Sequence, residues 1–201
     1  EENVQVPLPF KFLVLDELAS VKGWSDSLGG IIVSNEVKFI SKETMSVKCY
    51  HKNGKGEKVT TEIAKGTYKE IKEKVNSAGA KYHKSNYVML EDGTLANIQL
   101  KGAAVQKWGE FTQKTKNRLP EEWVVVEKAV DGKKGAVKFT PEFKFLCSLT
   151  DYEMSLADDV FNVLEAYLKT YLAKSEPVVD VLETGEDLDF EPSEENDDLP
   201  Y

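Results

Sequence analysis

The last 26 residues, Glu176 to Tyr201, hold 11 carboxylates and no lysine or arginine. Such a run repels itself and has too little apolar surface to repay the entropy of ordering, so it is expected to be disordered. Any packed structure has to be built from what precedes it. The organisation expected is a folded body over residues 1–175, an ordinary length for one domain, followed by an acidic tail over 176–201.

Setting the tail aside changes the charge picture. The whole chain of 201 residues is net −9, but residues 1–175 hold 26 bases against 24 acids. Residues 42–118 alone carry 16 bases and 8 acids, while 1–41 and 119–175 are each net −3. Opposite single-sign blocks read as an interaction face and an interaction tail.

Alternation and breakers suggest the elements. Phe10–Leu15 and Ile31–Val33 read as strands, and Val37–Ile40 continues or pairs with the second. Ser20–Gly30, rich in glycine and serine, reads as a loop. Thr44–His51 alternates with period two, a hairpin follows at Lys52–Gly56, and Lys58–Ala64 is its return strand. Tyr68, Ile71 and Val75 predict a helix over Thr67–Ala78 that stops at Gly79. Then come strands over Ala80–Leu90 and Leu95–Leu100 and a helix over Ala103–Thr115. A strand at Trp123–Val126 follows, then a turn at Asp131–Gly135 and a return strand over Ala136–Leu149 that is broken near Pro141. A long amphipathic helix spans Asp151–Lys174. The fold class expected is mainly β with helices (α+β). Its body is an OB-like β-barrel with one helix between strands, to which a β-hairpin and a C-terminal packing helix are added. An open α+β sheet fits this order nearly as well.

Catalysis finds no support in the pattern. There is no Walker motif, no Gly-x-Ser-x-Gly and no His-Glu-x-x-His. Cys49 and Cys147 lie 98 residues apart, and His51 and His83 are too few for most histidine metal sites. The adjacent Asp158 and Asp159 point in different directions on a helix and read as a solvated face. The expectation is a protein that is not an enzyme and holds no metal or cofactor, in a reducing cytoplasm. No apolar run is long enough for a membrane helix, and Glu1-Glu2-Asn3-Val4-Gln5 is not a signal peptide.

The basic third interleaves lysines with aromatics. Lys48-Cys49-Tyr50-His51-Lys52 is followed by Lys55 and Lys58, and then by Lys81-Tyr82-His83-Lys84-Ser85-Asn86-Tyr87. Along the strand from Lys81 one face carries Lys81, His83, Ser85 and Tyr87, and the other carries Tyr82, Lys84, Asn86 and Val88. The second face mixes a ring, a cation and an amide, and is the one expected to stack bases beside phosphate contacts. With one arginine, Arg118, the chain offers point charges for backbone contact rather than bidentate base reading. The DNA-binding residues expected are Lys48, Tyr50, Lys52, Lys55, Lys58, Lys81, Tyr82, Lys84, Tyr87 and Lys101. Core packing is the competing role for each tyrosine, above all Tyr87, which Val88-Met89-Leu90 follow.

The chain ends Asp197-Asp198-Leu199-Pro200-Tyr201. This resembles the acidic tip of the bacterial and phage single-stranded-DNA-binding proteins (SSB family), in which two acids, an aliphatic residue and proline precede a terminal phenylalanine. Tyr201 stands where that phenylalanine would be. The resemblance covers five residues, and the body lacks that family's strand motifs, which points to a diverged phage-type member. It implies sequence-independent binding of single-stranded DNA in replication, recombination and repair, in the host cytoplasm if phage-encoded. It also implies recruitment of replication and repair proteins by the tip. Tyr201 would fill an apolar pocket, its carboxylate would meet an arginine or lysine, and Asp197 and Asp198 would face a basic rim. Homo-oligomerisation stays open. The rival readings are a replication or recombination adaptor that binds proteins and not DNA, and a nuclease.

Overall fold

A computed structural model of the protein describes residues 8–115, 118–131 and 138–173. The tail at 176–201, with Asp197, Asp198, Leu199, Pro200 and Tyr201, lies outside the described residues, as does the turn expected at 132–135. Among the described residues the chain is mainly β with three helices. In order these are β1 (Phe10–Ser25), β2 (Gly30–Ser34), β3 (Met45–Lys52), β4 (Lys58–Gly66), α1 (Tyr68–Ser77), β5 (Ala80–Leu90), β6 (Leu95–Lys101), α2 (Ala103–Thr115), β7 (Glu122–Asp131), β8 (Lys138–Ser148) and α3 (Asp151–Ala173). No helix among the described residues is long and apolar enough to cross a membrane.

The strands form one antiparallel sheet in the order β4-β3-β2-β1-β5-β6, with β7 on β1 and β8 on β7. The expected closed barrel is replaced by an open sheet: no ladder joins β4 to β6 among the described residues. The length of β1 is the reason. Its 16 residues pair with β5 along one edge, while the other edge is shared by β7 at Phe10–Phe12 and by β2 at Lys22–Ser25. The β7–β8 hairpin thus occupies an edge that a small barrel would close upon.

Residues 20–25, expected as loop, belong to β1. Val21 is fully buried and the stretch is hydrogen-bonded on both sides. Gly23 is there for close approach rather than for a turn, since a Cβ on it would lie 2.4 Å from the Gly79 carbonyl oxygen. Gly79, at φ +94, ends α1 and starts β5, where a side chain would strike the Trp24 carbonyl oxygen. The expected strand at 37–40 reduces to one isolated bridge, Val37 to Ala19. Pro141 does not break β8; it pairs with Lys128 in a strand whose only partner among the described residues is β7, and an edge strand tolerates a missing N–H.

α1 and α2 lie on one face of the sheet and α3 on the other. Tyr68, Ile71 and Val75 of α1 pack on Ala19, Val21, Ile32, Met45, Val47 and Cys49. Trp108 of α2 packs on Phe12, Val14, Val88 and Val124. On the opposite face Ala157 of α3 joins Leu13, Met89 and Trp123, and Leu164 and Leu168 join Leu18 and Tyr87. A register shift between Val14 and Asp16 makes this possible. Before it, Phe12 and Val14 face α2; after it, Ala19 and Val21 face α1. Without the extra residue the second half of β1 would turn inside out, sending Leu18 to the wrong layer.

α1 and α3 begin alike. Glu70 accepts the Thr67 N–H at 2.8 Å, and Glu153 accepts the Thr150 N–H at 2.8 Å. These backbone bonds first, and the threonine hydroxyls second, hold both carboxyls below their usual range.

Candidate nucleic-acid interface

α3 covers only half of its face. Its buried contacts reach Leu18 on β1 and Tyr87 on β5. Beyond them β1, β2, β3, β5 and β6 continue with no helix above among the described residues, and cross-strand pairing places their side chains in rows.

In the outermost row Trp24 of β1 faces Ile31 of β2, which faces Tyr50 of β3, which faces Thr60 of β4. Trp24 is 47% exposed and Ile31 48%, and as cross-strand neighbours they form one exposed apolar patch. Trp24 and Tyr50 are two strand spacings apart, about 10 Å. Two residues inward along each strand runs a second row: Lys81, Lys22, Val33, Lys48 and Glu62. A third row sets Ser20 opposite His83 and His83 opposite Lys101. On the far side of the aromatic row Lys52 faces Lys58, and the turn that joins them carries Lys55. Rings and lysines from five strands thus share one surface.

This divides the residues expected from sequence. Lys48, Tyr50, Lys52, Lys58, Lys81 and Lys101 come together on the uncovered face, with Lys55 at its edge. Three residues do not join them. Tyr87 is 6% exposed, and its hydroxyl donates to Glu36 at 2.9 Å while its ring lies beneath α3. Ser85 Oγ donates to the other oxygen of the same buried carboxylate. Tyr82 points to the opposite face, where its ring meets Tyr68 of α1 at 5.3 Å between centroids. Burial, with the charge of Glu17 second, pushes its phenol up to about 12. Lys84 is on that opposite face too, 3.3 Å from the Glu17 carboxylate that also accepts the Trp108 indole N–H at 2.7 Å. The stacking face expected on β5 is therefore the helix-covered one, and the exposed face is the one carrying Lys81 and His83. Tyr82 and Asn86 share their side of the strand with Val88, and α1 and α2 both pack on that side.

Sequence reasoning misses Lys22, Trp24 and Ile31. Lys22 and Trp24 stand in a stretch whose glycine and serine content resembles a loop, where no face can be assigned. Had it been read as strand, alternation would have placed Ser20, Lys22 and Trp24 on one side and Val21 on the other.

His83 is bounded by cations. Its Nδ1 lies 3.1 Å from the Lys81 carbonyl oxygen, and Lys22 and Lys101 flank it from β1 and β6. Burial lowers its pKa most, and the two lysines lower it further against the carbonyl contact. The other histidine, His51, is on the α1 side of β3, with Nε2 at 2.9 Å from Thr61 Oγ1. Asp158 and Asp159 are exposed on α3, and among the described residues no three His, Cys, Asp or Glu side chains gather as metal ligands.

No protein family, no curated protein and no solved structure matches this chain at a significant level.

Proposed function

We propose that the protein binds single-stranded DNA without sequence preference across the uncovered end of its sheet, and that the segment at 197–201 recruits replication, recombination and repair proteins. The observation that carries the first part is the row Trp24–Ile31–Tyr50, with Trp24 and Ile31 about half exposed and lysines on both sides. Every base has a π-face, so two rings accept any sequence, at about 1–3 kcal/mol per stacked base. Lysines attract the backbone as point charges and read no base edge. Duplex DNA keeps its base faces covered by its own stacking, so an exposed ring on the sheet selects for single strands. In this reading β1, β2, β3 and β5 form an OB-like platform, in a sheet that stays open around it. The recruiting role of Asp197, Asp198, Leu199, Pro200 and Tyr201 rests on that resemblance alone.

The test is tryptophan fluorescence titrated with oligo(dT) at several salt concentrations, with and without magnesium. Quenching is expected, and log affinity should fall against log salt with a slope of roughly −3 to −4 for about four to six phosphates neutralised. Failure to bind, with partner proteins still captured through the tail, would convert the protein into an adaptor. Shortening of the oligonucleotide with magnesium would make it a nuclease.

A further inference from the structure

We propose that Lys22, His83 and Lys101 form a phosphate-binding subsite in which the bound phosphate draws a proton onto His83, so that ligand binding is accompanied by proton uptake. The proposal rests on the reading of the uncovered face as a DNA interface only for the source of the phosphate; the subsite itself stands on its own geometry.

Three adjacent strands build it. Ser20 on β1, His83 on β5 and Lys101 on β6 are direct cross-strand neighbours, and Lys22 and Lys81 form the next pair along. Lys22 Nζ donates to Gln99 Oε1 at 2.9 Å, a bond that holds the lysine head over β6, beside Lys101. At the floor, the Ser20 hydroxyl is fully buried and makes no hydrogen bond. A buried hydroxyl without a partner is costly, and this one stands directly across from His83 and two residues before Lys22 on the same strand. A phosphate oxygen, or a water held by one, would satisfy it.

The imidazole is set to change state. The Lys81 carbonyl can only accept, so neutral His83 carries its proton on Nδ1 and leaves Nε2 as a bare acceptor. In that form the ring offers an anion nothing from Nε2. A proton from solvent on Nε2 turns it into a second donor, and no other bond is made or broken. Against this proton stand Lys22 of β1 and Lys101 of β6, together with burial. Lys81 stands in the next row, opposite Lys22. Further along the face, the Glu36 carboxylate is already engaged by Ser85 and Tyr87, and the titratable side chains of α3 packed near Tyr87 are the phenols of Tyr167 and Tyr171. An arriving phosphate offsets the two lysines and supplies the acceptor that a protonated Nε2 needs. Its negative charge therefore raises the proton affinity of His83 from its lowered starting point.

The sign follows from linkage. His83 is deprotonated in the free protein at neutral pH and gains its proton in the complex. Affinity should rise as pH falls through the bound-state pKa, and level off below the free-state one.

The experiment follows the imidazole resonances of the full chain by NMR over pH 5–8, alone, with inorganic phosphate and with oligo(dT), alongside oligo(dT) affinities at each pH. The chain holds two histidines, so His51 on the opposite face serves as an internal reference. The His83 midpoint should move up in both ligands while that of His51 stays. Oligo(dT) affinity should rise about tenfold toward low pH for a midpoint shift of about one unit. That extra dependence should vanish in His83→Gln, which keeps a donor for the Lys81 carbonyl. In Lys22→Gln with Lys101→Gln, the free midpoint should rise and phosphate should no longer move it. If oligo(dT) binds but the His83 midpoint does not move, or His83→Gln keeps the same pH dependence, the subsite is overturned and the DNA reading survives. If phosphate moves His83 while oligo(dT) does not bind, the subsite stands as a site for a small phosphate ligand and the DNA reading fails.

Discussion

One face of this sheet has two halves made by the same strands and opposite in chemistry. In the first, β1 presents Leu13 and Leu18, β5 presents Tyr87 and Met89, and α3 seals them with Ala157, Leu164 and Leu168. In the second, a few residues further along β1 and back along β5, the same side shows Lys22, Trp24, Lys81 and His83, with Ile31 and Tyr50 continuing across β2 and β3. The reverse face is packed along both halves, by α2 under the first and α1 under the second. A strand pair supported from behind can therefore leave its front open. The open half costs little stability because the closed layers already hold the strands.

The comparison predicts that stability and binding respond to different halves. The largest effect is expected from Leu164→Ala, which empties a fully buried position under α3. It should destabilise the fold by about 2–5 kcal/mol in urea or thermal unfolding, while DNA affinity per folded molecule is kept. Lost affinity at unchanged stability would erase the distinction.

Tyr82→Ala should lower stability by about 1–3 kcal/mol through lost packing on Tyr68 and leave binding in place. Loss of binding with an unchanged melting curve would restore Tyr82 to the interface. Its phenol adds a pH signature. The folded value of about 12 lies above the ordinary one near 10. Its contribution is thus fully present below pH 10 and is lost as pH rises through 12. Unfolding measured at pH 9 and pH 11.5 should show a smaller decline in Tyr82→Phe than in the parent chain.

Trp24→Ala should do the opposite of both. Affinity for oligo(dT) should weaken by about 1–3 kcal/mol, with stability changed by less than about 0.5 kcal/mol, and Trp24→Phe should recover most of the loss. A melting temperature that falls with binding intact would make the exposed row a packing surface.

Deletion of residues 176–201 is expected to have the smallest effect. It removes 11 acidic side chains and no base and takes the net charge from −9 to +2. Affinity at low salt should tighten and the gain should fade as salt screens it. Unchanged low-salt affinity would mean that the acidic segment does not compete for the lysine face.

Local signals made much of this architecture legible. The period-two stretch at Met45–Cys49 is β3, and Tyr68, Ile71 and Val75 are the buried stripe of α1. The lysine-aromatic alternation around Tyr50 does lie on the open face. What failed was choosing between the two sides of β5. Alternation sorts Lys81, His83 and Tyr87 from Tyr82, Lys84 and Asn86, but each set contains a tyrosine, a lysine and a polar residue. Composition gives neither side an obvious claim to the interior. Nor does one strand face have one environment: Tyr87 and Lys81 point the same way, and only the reach of α3 makes one core and the other surface.

By itself the sequence determined the α+β class, the order of the elements, the charge division between body and tail, and a lysine-rich middle third suited to a polyanion. These follow from periodicity, capping, glycine placement and counting, all of which are local. The tertiary structure alone decided that the sheet is open, that β1 runs through its glycine-serine stretch, and that a slip at Leu15 exchanges the faces of its two halves. It also decided that Trp24, Lys22 and His83 share one face with Tyr50 and Lys48 across four strands. Those outcomes depend on pairing register and on where a helix stops. Both are set by contacts between residues far apart in the chain, which no local pattern encodes.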